Sequence, residues 1–225
     1  MRIYGFLLTL LMLCVTLSAC DQSEPLAPER SQYNVLFIAI DDLRPELGCY
    51  GDTPVISPNI DKFASEGLVF NRAYCQVPTC GASRASMLTG IMPTSQRFVL
   101  ARTRVDEDMP HAATLPQVFK EAGYTTLSNG KVFDNPDDSN SKSWSQPAWR
   151  PPGIDQMDNL DPESTRRLSE RGRGRIYEYP DVPDNAYADG RIAEKTISDL
   201  LRLKKSGEPF FPGLRIQPTS FTVLR

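Results

Sequence analysis

Histidine is almost missing from this chain: among 225 residues His111 is the single imidazole. That count excludes a zinc centre built on two or three histidines and leaves a Ser-His-Asp triad with one candidate base. An excess of positive charge is missing as well. Lys and Arg number 25 against 28 Asp and Glu, a net charge of −3, which argues against nucleic acid as a partner. No apolar run reaches the roughly 20 residues that span a bilayer; Phe6 to Leu17 falls short of it. Internal repeats are absent too. The chain is 40% hydrophobic, enough to bury one ordinary core.

The first 33 residues read as targeting rather than fold. Arg2 gives a positive start, Phe6 to Leu17 an apolar stretch, and Leu17-Ser18-Ala19-Cys20 a small-residue box ending in cysteine. This resembles a bacterial lipoprotein signal. The resemblance implies a signal peptide over 1–19, lipid on the Cys20 sulfur and a polar tether over 20–33. The protein is then exported and anchored by lipid to a membrane of the cell envelope or periplasm. An ordinary secretory signal with an incidental cysteine is the plainer alternative. With Cys14 lost and Cys20 lipidated, Cys49, Cys75 and Cys80 remain. In an oxidising compartment Cys49 and Cys75 either pair or serve as small buried hydrophobes, and both readings stand.

The fold is expected to begin at Asn34. Val35 to Ile40 is an unbroken apolar run, suited to a parallel strand covered on both faces. Asp41-Asp42 follows at the carboxyl end, where open α/β sheets carry their ligands. Two adjacent acids repel unless a hard cation such as Ca²⁺ or Mg²⁺ is shared; otherwise Asp42 caps a turn and Asp41 is solvated. Ser57-Pro58 starts a helix that Gly67 ends, and Leu68-Val69-Phe70 reads as a short strand.

Cys80-Gly81-Ala82-Ser83-Arg84, continuing to Leu88-Thr89-Gly90, places a sulfur at the mouth of a helix starting near Ser83. A helix N-terminus and a guanidinium together suit an anion. Thr114 caps a second helix ended by Gly123, and Tyr124 to Ser128 is strand-like, delivering Asn129-Gly130-Lys131 at its end. Lys131 is either a second cation at the strand's edge or a surface lysine after a turn. The stretch 134–183 is loop-rich, with Trp144, Trp149 and the basic series Arg166, Arg167, Arg171, Arg173 and Arg175. Asp189 is expected to cap a long helix whose apolar stripe is Ile192, Ile197, Leu200, Leu201 and Leu203. Pro209-Phe210-Phe211 opens another buried strand. Alternating strands and helices give an α/β sandwich with a largely parallel sheet.

Taken in order, these motifs resemble the sulfatase family of the alkaline-phosphatase-like superfamily. Cys80-Gly81-Ala82-Ser83-Arg84 with Leu88-Thr89-Gly90 looks like the signature that directs oxidation of cysteine to formylglycine, with Ala82 at the position commonly held by proline. The likeness to iduronate-2-sulfatase-type members is closer still. It is carried by Asp41-Asp42-Leu43-Arg44-Pro45, Leu47-Gly48-Cys49-Tyr50-Gly51, Ser57-Pro58-Asn59-Ile60-Asp61, Gly130-Lys131-Val132-Phe133 and Pro209-Phe210-Phe211. The resemblance covers 34–211 and implies a sulfuric ester hydrolase acting on a sulfated carbohydrate. Asp41, Asp42 and residue 80 would bind Ca²⁺, less readily Mg²⁺. Arg84 would steady the hydrated formylglycine at residue 80, and Lys131 would touch the sulfate. A formylglycine-generating or equivalent maturation enzyme is an implied partner. Ser83 is assigned to recognition by that enzyme.

The sequence also departs from the family. Asp134 stands where such members carry a histidine after Gly-Lys-Val-Phe, and the later histidine, acidic pair and lysine of the family are not in these 225 residues. The tail 212–225 diverges abruptly, and a frameshift near residue 211 accounts for it on permissible codons, leaving the domain truncated at its C-terminus. A catalytically inactive fragment is therefore one alternative. A related phosphatase or phosphodiesterase is a weaker one, because those use Ser or Thr where Cys80 stands.

Overall fold

The structure is a computed structural model that describes residues 33–51, 55–152, 160–172, 178 and 180–216. The chain divides into two units, Met1–Tyr33 and Asn34–Arg225. The expected signal peptide, the Cys20 lipid site and nearly all of the tether lie outside the described residues, as do 217–225 of the tail. Among the described residues no helix is long and apolar enough to cross a membrane.

Among the described residues three parallel strands organise the second unit: β1 (Phe37–Ile40), β2 (Thr125–Asn129) and β3 (Phe210–Ile216), in the order β1-β3-β2. The strand last in sequence is therefore central, pairing Phe37 with Gly213 on one side and Thr125 with Phe210 on the other. It runs on past residue 211, and Pro212, Gly213, Leu214 and Arg215 are all buried within it.

Side chains alternate across a strand, so Phe210 and Phe211 enter different cores. Phe210 joins Leu127 and Leu203. Phe211 joins Ala82, Ala85, Leu88, Val132 and Trp144, stacking on Phe119 at 4.6 Å and on Phe37 at 6.2 Å between ring centroids. Helices α1 (Pro58–Ser65), α2 (Cys80–Thr89), α3 (Val105–Asp108), α4 (Leu115–Glu121), α5 (Asn140–Ser143), α6 (Pro162–Arg171) and α7 (Ala188–Ser206) complete the order. Residues of α2 supply the Phe211 core, whereas α7 supplies Leu203 to the Phe210 core. Helices on both faces of a parallel sheet make this an α/β sandwich, as the sequence implies.

Several local expectations need correction. β1 is not covered on both faces: Leu36 and Ile38 are 45% and 52% exposed. Among the described residues β1 is an edge strand, and these two lie on the face opposite the one where Phe37 meets Phe211. Leu68-Val69-Phe70 forms no strand, and Leu68 and Phe70 stay exposed without a pairing partner. Ser57 does not cap α1 with its side chain. Its hydroxyl donates to Asp61 Oδ1 at 2.9 Å and accepts from Gly48 N at 3.0 Å, while Cys49 N donates to the same Asp61 oxygen at 2.8 Å. Cys49 and Cys75 are free thiols, Cys75 exposed.

The loop-rich stretch contains α6, which its sequence announces: Asp161 accepts from Ser164 N at 2.9 Å, Pro162 is the first helical residue and Gly172 closes it at φ 68°. Arg166 is spent within that helix on Glu163 and Glu170. Asp189 lies inside α7, whose N-cap is Tyr187. The inward row of α7 is Ile192, Thr196, Asp199 and Leu203, four, three and four residues apart. Ile197 and Leu201 are exposed on its shoulder. The polar members of the inward row are paid for by partners: buried Asn129 donates to Thr196 Oγ1 at 3.2 Å and to Asp199 Oδ2 at 3.1 Å. Thr114 behaves as expected, forming a capping box with Gln117 on α4.

Candidate active site

The site is built where α2 begins beside the carboxyl ends of β1 and β2. Helix α2 starts at Cys80 itself, with Thr79 as an extended N-cap that makes no side-chain cap bond. The expected start near Ser83 is thus three residues late, because Ser83 N already donates to Thr79 O at 2.9 Å. Cys80 therefore occupies the first helical position, where backbone N–H groups are unpaired and the dipole is positive. Gly81 is required next to it: a Cβ there would collide with the Ala101 carbonyl.

Around the half-buried thiol stand one acceptor and one cation. Cys80 Sγ is 3.8 Å from Ala101 O, and Lys131 Nζ lies 4.0 Å from the same sulfur. Gly130, at φ 81°, turns the chain out of β2 and delivers Lys131 to this point. Lys131 is also ion-paired with Asp134 at 2.7 Å, so Asp134 anchors the lysine.

One turn into α2, Arg84 points into the protein with 6% of its side chain exposed. Its Nη1 donates to Lys131 O at 2.6 Å and Val132 O at 2.9 Å, fixing the loop that carries Lys131. Its Nη2 donates to Asp41 Oδ1. Arg84 Nε is buried and has no hydrogen-bond partner among the described residues. The second oxygen of Asp41 is taken by Arg215, through Nε at 3.1 Å and Nη2 at 2.5 Å. Burial alone would raise the Asp41 pKa. The Arg215 hydrogen bond and the charges of Arg84 and Arg215 outweigh it and hold the carboxyl below the usual range.

The structure thus brings Cys80, Arg84, Lys131 and Asp41 together. Asp42 is exposed, in the left-handed region at φ 52°. No group of three or more His, Cys, Asp or Glu suited to a metal forms among the described residues. As arranged, Asp41, Asp42 and Cys80 do not fit a divalent ion, because both Asp41 oxygens already serve guanidinium groups. His111 is exposed. Trp144 is core, packed edge-on against Phe133, while Trp149 has Lys195 6.0 Å from its ring centre. Arg215 was not legible as a site residue. Its one signal is that Phe211, Gly213 and Arg215 alternate onto the face that receives α2.

The Sulfatase family matches residues 33–214. The chain belongs to the sulfatase family. Human (Homo sapiens) iduronate 2-sulfatase is 36% identical over 212 residues, which are 91% of this chain and 38% of that protein. This sulfatase chain therefore spans well under half the length of that curated relative. Among solved structures, a putative sulfatase from Bacteroides thetaiotaomicron aligns at TM-score 0.56 and 26% identity, over 83% of this chain and 35% of its own. The phosphonate monoester hydrolase of Agrobacterium radiobacter aligns at TM-score 0.60 over 82% of this chain and 40% of its own, and at 20% identity it shows the fold alone. The fold is the alkaline-phosphatase-like α/β sandwich.

Proposed function

We propose that this chain carries the nucleophile-bearing part of a sulfuric ester hydrolase that acts on a sulfated carbohydrate. The observation that carries the reading is Cys80 at the first position of α2, with Lys131 Nζ 4.0 Å from its sulfur. A helix N-terminus and an ammonium group form a corner suited to an oxyanion, and buried Arg84 holds the loop that carries the ammonium. The carbohydrate class is taken from the iduronate 2-sulfatase relative.

Residue 80, oxidised to formylglycine by a maturation enzyme, would supply a hydrated aldehyde able to accept sulfate and release it again. The chain's own residues do the rest. The N-terminal amides of α2 and Lys131 Nζ hold the sulfate against residue 80, Arg84 fixes the Lys131 loop, and Asp134 holds the lysine in place. The resemblance assigns calcium to Asp41, Asp42 and residue 80, which as arranged do not fit it. Because Asp41 is committed to Arg84 and Arg215, no step here runs through it. A cysteine at position 80 disfavours a serine- or threonine-based phosphatase. Export and lipid attachment at Cys20 belong to the same reading.

The test is co-expression with a formylglycine-generating enzyme, mass spectrometry of the peptide containing residue 80, and sulfate release from sulfated disaccharides. Aldehyde at residue 80 with sulfate release supports the reading. A residue 80 that stays a thiol under these conditions refutes the assignment.

A further inference from the structure

At the end of the sheet beside Cys80 a cation is already built in. We propose that Arg215 is a resident counter-ion that takes the place of a divalent metal at Asp41, so that this corner assembles without one. Parallel register puts Ala39 beside Arg215, and Asp41 lies two residues beyond Ala39 on the same face. The Arg215 guanidinium therefore reaches the carboxylate from the neighbouring strand, placing Nε and Nη2 on Oδ2. Arg84 approaches from α2 and takes Oδ1. The carboxylate is closed on both sides by side chains that are 3% and 6% exposed.

A hard divalent ion asks for six or more oxygens, and here it would have to displace a buried guanidinium to take an Asp41 oxygen. Two fixed positive charges beside that carboxylate repel a further one. A guanidinium suits the role better than an ammonium, since its fork holds the oxygen through two donors. Arg215 also lies one residue beyond the 33–214 span matched by the family model. The inference needs neither an oxidised residue 80 nor a substrate, so it and the sulfatase reading fail separately.

The test is calorimetric titration of Ca²⁺ and Mg²⁺ into the full, metal-stripped chain and its D41N, R215A, R215K and R215A/D41N variants, with circular dichroism of each. Wild type and R215K are expected to bind neither ion with a dissociation constant below about 1 mM. R215A gains a Ca²⁺ site that R215A/D41N lacks. If R215A is unfolded when stripped, millimolar Ca²⁺ restores its dichroism. Wild-type binding that D41N abolishes would overturn the inference. So would a folded R215A that binds no cation, or an unfolded one that Ca²⁺ does not rescue.

Discussion

Replacing Asp41 by Asn should cost far more stability than replacing Arg215 by Met, although the two side chains share one ion pair. Arg84, Asp41 and Arg215 form a cluster of two guanidiniums on one carboxylate. D41N leaves two buried positive charges facing a neutral amide. Breaking a buried pair in this way costs about 3–5 kcal/mol. R215M instead leaves Arg84 and Asp41 as a neutral pair, with an apolar stem where the arginine stem lay. Its cost is the lost partner of Oδ2, about 1–2 kcal/mol, eased because the Asp41 side chain is 16% exposed and water can reach it. Urea unfolding in EDTA, followed by far-UV dichroism and by fluorescence of buried Trp144, measures both. With a slope of about 2 kcal/mol/M, the midpoint falls by roughly 1.5–2.5 M for D41N and by about 0.5–1 M for R215M. Equal midpoints, or a larger loss for R215M, would refute the bridging role of Asp41.

Three other outcomes are expected. C80A keeps the unfolding midpoint of the wild type and abolishes sulfate release by matured protein, read by ion chromatography. T114A loses the α4 cap, worth about 1 kcal/mol, and orphans buried Ser143 Oγ, which lies 2.8 Å from Thr114 Oγ1; together these lower stability by about 2–4 kcal/mol, whereas T114S is nearly neutral by the same denaturation assay. For Asp199, burial raises the pKa, but hydrogen bonds from Lys195, Asn129 and Arg202 outweigh it and leave the value lowered. Its stabilisation is therefore complete above the ordinary carboxylate pKa and is lost as pH falls through the lowered folded value. The melting-temperature gap between wild type and D199N should be widest near neutral pH and close on acidification through that window; a gap that widens in acid contradicts the assignment.

Much of the candidate site is legible in residue order because its parts are local. A helix N-terminus requires only Thr79 extended, Gly81 beneath Ala101 and good helix formers after it, so Cys80 and Arg84 one turn apart can be read from spacing. The capping box at Thr114 and Gln117 is equally local. Lys131 can be placed at a strand end because Gly130 marks the turn. What misled was one-dimensional hydrophobicity. Ile197 and Leu201 look like the inward row of α7, yet Thr196 and Asp199 take it, because Asn129 on β2 supplies their hydrogen bonds from a distant segment. Leu36 and Ile38 look doubly buried, yet β1 is an edge.

The sequence by itself determined the alternation of strands and helices, the sulfatase kinship and the place of Cys80 at a helix start, since each rests on contiguous residues. The fate of Asp41 was decided only by tertiary structure. A carboxylate after an apolar strand is compatible with a metal, a cap or solvent, and the choice depends on which side chains the neighbouring elements bring to it. Parallel pairing of β1 with β3 brings Arg215 there from 174 residues away in sequence, and α2 brings Arg84. Two guanidiniums converging on one carboxylate are a consequence of strand order, which local residue pattern does not encode.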